Sequence, residues 1–267
     1  MSIYTISEKL EITQNPDRPN VLDYINIVFP DFLEMHGDRL YGDDPSVVGG
    51  VASLNNTPLT IIGQMRGHTI QENIKYNFSM SHPEGFRKSL RLMKQAEKFH
   101  RPIVCFIDTL GAYPGVEAET RGQSAAIANN LMEMMSLKVP IFSILIGNGV
   151  SGGALALSVA NETVMLEHAL FSIISPKGCA NILWKDSSRY MEAAELMKMT
   201  SDDIYELGLA DVIIREPEGG AQADVGYVAQ KIKETLTDLM KKYRFLSGKR
   251  IQKIRYAKYR KIGRQLH

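Results

Sequence analysis

The chain changes from a strand-like run into a helix-like run at Ile146-Gly147-Asn148-Gly149-Val150-Ser151-Gly152-Gly153-Ala154. A tight strand-to-helix turn would explain its four glycines, because glycine tolerates positive φ and close backbone approach. Three functional patterns also fit the same residues. The choice among them decides what the chain can do.

The first pattern is the Gly-x-Gly-x-x-Gly spacing of a dinucleotide-binding turn, which begins at Gly147 and has Glu167 20 residues further on as a ribose-binding acid. The second is Gly-x-Ser-x-Gly around Ser151, the spacing of a nucleophile elbow. In the third, Gly152 and Gly153 expose backbone N–H groups at the start of a helix, where an oxyanion can be held without any side chain.

The length and composition of the chain after the glycines separate these patterns. About ten residues lie between Gly152 and Thr163, which is short for a crossover helix with its turns. A nucleophile elbow needs an acid and then a histidine downstream, yet only His168 and the terminal His267 follow Ser151. An oxyanion site needs only backbone N–H groups. The chain therefore favours the oxyanion interpretation, and a Clp-type peptidase elbow stays an alternative.

A second glycine-bearing loop, Asp108-Thr109-Leu110-Gly111-Ala112-Tyr113-Pro114-Gly115, follows the continuous apolar run 102–107. Such runs are typical of strands covered on both faces, and ligands of open α/β folds gather at the carboxyl ends of strands. We expect the two loops to form the walls of one site. Neither loop offers a good general base, so the chemistry would depend on stabilised anions or on a base from the substrate. The expected substrate-binding residues are Gly111, Ala112, Tyr113, Gly115, Gly149, Val150 and Ser151.

Strand-like and helix-like segments alternate along most of the chain, which predicts an α/β fold with a largely parallel sheet. Helices are expected over 21–36, 83–99, 119–137, 154–160 and 189–199, strands over 47–51, 59–62, 102–107, 141–146, 164–166 and 171–174, and a loop over 147–153. We predict three parts: a polar lead-in (1–20) with an irregular stretch at Asn15-Pro16-Asp17-Arg18-Pro19, one domain (21–240) and a basic helical tail (241–267).

The charge of the chain is unevenly distributed although its net value is only +1. Residues 241–267 hold eleven of the 31 Lys and Arg residues and none of the 30 acidic ones, which leaves the first 240 residues at −10. We expect the tail to be a solvated helix, because basic residues suit helix C-termini. A contact between the tail and nucleic acid or a phosphate-bearing ligand stays open.

Several classes of site are not expected. The two cysteines, Cys105 and Cys179, have no metal-like spacing, so we expect no metal on this chain and a reduced, intracellular protein. No P-loop pattern occurs, which argues against ATP hydrolysis. Acidic residues come too early for a signal peptide, and Pro140 and four glycines interrupt the uncharged run 139–161, so we expect a cytoplasmic protein without a membrane span.

Many ordered motifs together identify a resemblance. The chain resembles the carboxyltransferase α subunits of bacterial acetyl-CoA carboxylases from about residue 18 to about residue 215, and weakly into the tail. The motifs are His36-Gly37-Asp38-Arg39, His82-Pro83-Glu84-Gly85-Phe86-Arg87-Lys88, Leu90-Arg91-Leu92-Met93, Ala96-Glu97-Lys98-Phe99, Gly111-Ala112-Tyr113-Pro114-Gly115, Arg121-Gly122-Gln123-Ser124, Ser151-Gly152-Gly153-Ala154-Leu155-Ala156, Gly178-Cys179-Ala180 and Ile182-Leu183-Trp184-Lys185.

The resemblance implies a crotonase-like (ClpP/crotonase) fold, a spiral of β-β-α units, and an α2β2 heterotetramer with a carboxyltransferase β subunit. It implies transfer of carboxyl from carboxybiotin, carried on a biotin carboxyl carrier protein, to acetyl-CoA, giving malonyl-CoA for fatty acid synthesis. Zinc would belong to the β subunit, and ATP would be used elsewhere in the complex. Gly152 and Gly153 would be the catalytic residues, holding the biotin ureido oxygen, and the departing ureide would deprotonate the acetyl methyl group.

The chain departs from the usual family pattern at Leu110, Asn148, Val150 and Lys177. Val150 stands where the family usually has glycine, and a β-branched residue fits poorly at positive φ. Either this position has negative φ or the loop has shifted. The resemblance therefore leaves two alternatives: a diverged non-catalytic or regulatory paralogue that keeps the fold and partner surface, and a stand-alone crotonase-type acyl-CoA hydratase or thioesterase.

Overall fold

The computed structural model describes residues 4–263. Its strands are β1 (Leu33–Glu34), β2 (Val47–Leu54), β3 (Thr57–Gln64), β4 (Ile103–Thr109), β5 (Ile141–Val150), β6 (Glu162–Leu166), β7 (Leu170–Ser172) and β8 (Val212–Ile214). Its helices are α1 (Ile6–Gln14), α2 (Val21–Val28), α3 (Ile70–Lys75), α4 (Pro83–Lys98), α5 (Val116–Thr120), α6 (Gln123–Ser136), α7 (Ser151–Ser158), α8 (Pro176–Trp184), α9 (Tyr190–Leu196), α10 (Ser201–Glu206), α11 (Val225–Tyr243) and α12 (Gly248–Lys261).

The strands of this α/β fold form one mixed sheet in the order β1-β2-β3-β4-β5-β6-β8, with β7 paired to the end of β5. From β3 onward every pairing is parallel, as expected, but β1, β2 and β3 pair antiparallel. Asn55 and Asn56 form the β2–β3 turn at φ 49 and 61, the positive values of a two-residue hairpin turn. The strands around this turn are longer than expected because they pair with each other.

The core lies between this sheet and its helices. All residues of β4 and β5 are buried, which confirms the interpretation of their apolar runs. In α4, Phe86, Met93 and Ala96 are completely buried and Leu90 is half-buried. The predicted helix at this position is thus confirmed, and its apolar stripe faces the core.

Two expected helices were wrong in their extent. The helix over 21–36 ends at Val28, because Pro30 disfavours helical geometry in the residue before it, and the chain continues into β1. The helix over 119–137 is divided by Gly122, which has φ 86. The lead-in also contains α1, which a capping box of Thr5 and Glu8 starts. The stretch from Asn15 to Pro19 is irregular, as predicted.

The loop expected over 147–153 was also wrong. β5 continues to Val150 because β7 pairs with its last three residues, with Asn148 opposite Leu170 and Val150 opposite Ser172. Helix α7 then begins immediately, at Ser151. The partner strand comes from later in the chain, so local pattern could not show it.

The predicted tail helix is confirmed, but it is not solvated on all sides. Ile251 and Arg255 of α12 are buried against the main core. Residues 264–267 of the predicted tail lie outside the described residues, and the divisions after residues 20 and 240 stay predictions. Between residues 4 and 263, no helix combines the length and apolar character that a membrane crossing needs.

Candidate active site

The two glycine-bearing loops come together at the carboxyl ends of β4 and β5. These strands pair parallel from Ile103 opposite Ile141 to Ile107 opposite Leu145. The register then shifts, and Thr109 lies opposite Gly149, so that Asp108 alone faces three residues of β5. At this bulge the segments that follow β4 and β5 leave the sheet at the same place. The expectation of two facing walls is therefore met in the geometry.

The contact between the walls is made by backbone. A Cβ built at Gly153 would lie 2.5 Å from the carbonyl carbon of Gly111 and 2.7 Å from the nitrogen of Ala112. Gly111 itself has φ 136, and a Cβ there would lie 3.9 Å from the Ser151 Cβ. Gly153 therefore lets the start of α7 lie directly against the second loop, at a distance no side chain permits.

The first turn of α7 presents unblocked N–H groups. Val150, its N-cap residue, is extended at φ −110 and ψ 134, and within residues 4–263 no side chain caps the turn. Ser151 is the left-handed residue at φ 63. Val150 therefore never needed positive φ, which resolves the doubt raised by this departure from the family pattern. The unsatisfied donors and the helix dipole together favour an anion here.

Gly152 and Gly153 differ in their surroundings. A Cβ at Gly152 would meet only Ile127 side-chain atoms at 3.8 Å and 3.9 Å, which is ordinary contact. Gly152 is half-exposed, whereas Gly153 is buried against the second loop. Gly152 thus has open space beside it, and Gly153 is required by packing.

Asp108 holds the end of β5 in place. Its Oδ1 accepts the Asn148 N–H at 2.8 Å, and a Cβ at Gly147 would collide with the carboxylate. Burial raises the pKa of Asp108, although the guanidinium of Arg66, 3.8 Å away, opposes this. Among the described residues its Oδ2 has no hydrogen-bond partner. Asp108 therefore fixes the backbone that leads into Ser151.

Two further polar residues position the loops. Gln64, at the end of β3, is buried, and its Nε2 donates to the Gly153 carbonyl at 2.9 Å. The Thr109 hydroxyl donates to the Gly111 carbonyl at 2.8 Å and accepts its N–H at 3.1 Å. The sequence analysis did not single out Gln64 as a site residue. Its signal was a polar residue at the carboxyl end of an apolar strand.

Tyr113 lies on a support formed by other motifs of the chain. Its ring stacks on His82 with centroids 4.0 Å apart, and its N–H donates to the Ser81 carbonyl at 3.0 Å. Gln123 donates from Nε2 to the carbonyls of Ser81 and Tyr113 at 2.8 Å and 3.0 Å. Gly115 precedes α5, and a Cβ there would collide with the Tyr113 ring. The wall beside the first turn of α7 is thus firmly held.

An ion cluster lies behind this wall. Glu84 Oε1 accepts from Arg87 Nη2 and Arg121 Nε, both at 2.9 Å, and Arg121 Nη2 lies 3.1 Å from His82 Nδ1. Burial alone would raise the pKa of Glu84, but the hydrogen bonds from Arg121 hold it below its ordinary value. The carboxylate is therefore ionised at neutral pH, cannot donate a proton, and is a weak base because two guanidinium groups stabilise its charge.

The expected residues are not equally placed. Gly153 meets Gly111 and Ala112 directly, Ser151 lies beside Gly111, and Tyr113 and Gly115 form the adjoining wall. Gly152 lies between Ser151 and Gly153 in the chain with open space beside it. Gly149 and Val150 lie instead in the buried end of β5.

The nucleophile elbow finds no support in these contacts. His168, the downstream histidine in the described part of the chain, is buried, and its ring nitrogens bond to no described group, Ser151 included. Its pKa is lowered by burial. Between residues 4 and 263, no group of three or more His, Cys, Asp or Glu residues is arranged to hold a metal ion.

Comparison with known families covers nearly the whole chain. The model of the family described as acetyl co-enzyme A carboxylase carboxyltransferase-like matches residues 2–263. The acetyl-coenzyme A carboxylase carboxyl transferase subunit alpha of Listeria monocytogenes is 54% identical over 265 residues, which are 98% of this chain and 83% of that protein. The subunit of the same name from Clostridium acetobutylicum is 54% identical over 260 residues, 96% of this chain and 94% of its own length.

Solved structures show the same fold at low sequence identity. The transcarboxylase 12S core matches with a TM-score of 0.65 and 17% identity, over 86% of this chain and 45% of that chain. A chain of the Pseudomonas malonate decarboxylase MdcD–MdcE heterodimer matches with a TM-score of 0.65 and 18% identity, over 92% of this chain and 98% of its own. These matches confirm the predicted crotonase-like α/β fold.

Proposed function

The chain belongs to the acetyl-CoA carboxylase carboxyltransferase family, and from that premise we propose that Gly152 and Gly153 stabilise the anion formed in its reaction. It is the α subunit of the carboxyltransferase, a biotin-dependent enzyme component that serves fatty acid synthesis. This identity supports the carboxyltransferase prediction over the non-catalytic and stand-alone alternatives.

One observation carries the proposal: the uncapped first turn of α7 lies in backbone contact with Gly111 and Ala112. Negative charge develops on the biotin ureido oxygen as carboxyl departs, and N–H donors aimed at such charge contribute about 3 to 4 kcal/mol each. The half-exposed Gly152 leaves room for that oxygen beside the donors. The site residues therefore fit a ureido group.

The roles of the chain's own groups follow from this placement. Bound carboxybiotin supplies the carboxyl group and, after its loss, a basic ureide. The N–H groups of Gly152 and Gly153 hold the ureido oxygen, and the Gly111–Gly115 wall orients the reactants. Because Arg87 and Arg121 make Glu84 a weak base and Asp108 is buried, we assign neither of them the proton transfer.

The assembly around the site is the finer part of the proposal. An α subunit implies a β subunit as its partner. We propose an α2β2 heterotetramer in the cytoplasm that receives carboxybiotin on a carrier protein, with acetyl-CoA held mainly by the β subunit, which also carries zinc. Leu110 and Lys177 do not change this assignment, since neither residue takes part in the backbone contact between the loops.

The deciding experiment is co-expression with the matching β subunit, followed by measurement of malonyl-CoA formation from carboxybiotin and acetyl-CoA. We expect transfer by the complex and none by either subunit alone. A complex that forms and transfers nothing would refute the catalytic assignment. Activity of this chain without a partner would instead support the stand-alone crotonase-type alternative.

A further inference from the structure

A large cleft lies at the opposite ends of the strands that form the active site. It has a volume of about 950 Å³, and Pro102 and Pro140, directly before β4 and β5, form part of its wall. The C-terminal end of α11 and the start of α12 form the other wall. Since β4 has seven residues, the cleft is roughly 20 Å from the candidate active site. We call it the amino-end cleft.

The charge of this cleft is entirely of one sign. Its lining includes five basic side chains and, among the described residues, no Asp or Glu; the basic ones are His100, Lys138, Lys241, Arg244 and Lys249. Lys241 pairs with Asp238 at 3.1 Å on the surface. Within residues 4–263, the side chains of Lys138, Arg244 and Lys249 form no salt bridge, although Glu97 Oε1 accepts the backbone N–H of Lys138 at 2.8 Å. This concentration of unpaired positive charge would attract an anion.

The start of α12 lies in the same wall, with Ser247 as its N-cap residue accepting the Arg250 N–H. Its first turn contains Lys249 and Arg250 and no acidic residue, contrary to the usual preference for acidic residues at a helix N-terminus. A Cβ at Gly248 would lie 2.8 Å from both the Lys138 Cβ and the Lys138 carbonyl oxygen, so glycine lets the turn approach Lys138 closely. The positive end of α12 thus lies directly against the backbone of Lys138, where a bound anion would be favoured.

The floor of the cleft is apolar. Leu54, Val139, Tyr243 and Ile251 line it and are 2 to 4% exposed. The cleft volume is near the upper end of the range for small-molecule sites. A basic rim over an apolar floor suits a small molecule that has a phosphorylated end and an organic body.

We propose that the amino-end cleft binds a small diphosphate-bearing molecule, with the diphosphate between Lys138, Lys249 and the first turn of α12 and the organic body over the apolar floor. This site is separate from the carboxyl-transfer site and does not depend on the proposed mechanism. Carboxyl transfer does not explain why basic residues are concentrated at the end of the chain, and this site gives them a function.

The test is calorimetric titration of the complex of this chain and its β subunit with ADP, pyrophosphate and adenosine. We expect saturable ADP binding, weaker pyrophosphate binding and no adenosine binding. The double variant Lys138→Ala/Lys249→Ala should weaken ADP binding about tenfold or more, since it removes two charge-assisted contacts. Carboxyl transfer by the variant should remain at the wild-type rate, which would show that the fold is intact.

Lys253→Ala is the matched control, because Lys253 lies one helical turn further along α12 and outside the cleft. It should bind ADP as the wild type does. Equal loss in the control would mean diffuse attraction by the tail and would overturn the proposal. Adenosine binding as tight as ADP binding would also overturn the proposal, and so would the absence of saturable ADP binding at millimolar concentration. An oligonucleotide that binds through Lys253 in preference to ADP would overturn it as well.

Discussion

Gly153 and Gly152 are neighbours in the chain, yet the fold constrains them differently. Gly153 is needed because the backbone of Gly111 and Ala112 occupies the place of its side chain. Gly152 is half-exposed beside open space. The proposed mechanism uses the N–H groups of both, but only Gly153 has to be glycine for packing reasons.

Replacement of each glycine by alanine tests this difference. Gly153→Ala should lower kcat by about 100-fold or more, because the two loops must separate and the N–H donors lose their alignment. Gly152→Ala should have a much smaller effect, since its methyl group would make contacts of 3.8 Å or longer. Malonyl-CoA formation by the purified complexes measures both. Equal losses in the two variants would contradict the assignment, and co-purification of the β subunit controls for folding.

Ser151 has the positive φ of a nucleophile elbow without the partners of one. If backbone donors perform the chemistry, Ser151→Gly should keep transfer within a few-fold of wild type, because glycine adopts φ 63 without strain. Loss of a true nucleophile costs about a millionfold in kcat. Steady-state kinetics of this variant distinguish the two, and a near-total loss would restore the elbow interpretation.

Helix α12 shows how a basic residue can be structural. Arg255 is completely buried and donates to the carbonyls of Met134, Leu137 and Val139 at 2.5, 2.8 and 2.7 Å. It also donates to Asn161 Oδ1 at 2.7 Å. Burial lowers the pKa of Arg255 to about 10, so it stays charged at neutral pH. The N–H donors of its guanidinium group bond to carbonyls at and just after the C-terminal end of α6, where helical hydrogen bonding leaves carbonyls without a partner.

Arg255→Met should therefore destabilise the chain strongly. Three carbonyls lose this donor in a buried place, and Asn161 Oδ1 keeps only the Ile141 N–H, which should together cost at least about 3 kcal/mol. For a chain of this size the expected fall in Tm is roughly 10 °C. Thermal unfolding followed by circular dichroism measures it, with the exposed Arg250→Met on the same helix as control. A difference of less than about 2 °C between the two variants would show that Arg255 is dispensable.

Local pattern predicted the elements that local interactions determine. The apolar runs of β4 and β5 and the stripe of α4 were predicted in place, since their burial is evident from composition alone. The end of β5 was missed because it pairs with β7, whose position depends on the intervening α7 and β6. The support of Tyr113 by His82 was missed for the same reason, because 31 residues of chain separate them.

The opposite charges of the body and the tail meet in the folded molecule. Lys258 pairs with Asp211, and Lys242 with Glu162, both at 2.5 Å. These pairs and Arg255 attach α11 and α12 to the sheet. The tail is therefore part of the packed structure rather than an appendage.

Removal of residues 248–267 tests this attachment. The truncated chain should lose the burial of Ile251, which is 4% exposed, at a cost of about 1.5 to 3 kcal/mol, in addition to the cost of losing Arg255. We expect a Tm at least 10 °C lower, or no folded protein, because the two losses add. Differential scanning calorimetry against the full chain gives the result. An unchanged Tm would mean that the tail folds and acts apart from the body.

The sequence by itself determined the α/β class, the family and the glycines of the site, because buried strands, helix stripes and ordered motifs are local properties. It also showed that charge is concentrated at the end of the chain. Only the tertiary structure decided that Ser151 rather than Val150 has positive φ, that Gly153 packs on Gly111, and that the basic tail is anchored through Arg255. Each of these depends on contacts between segments far apart in the chain, and such contacts exist only once the sheet has formed.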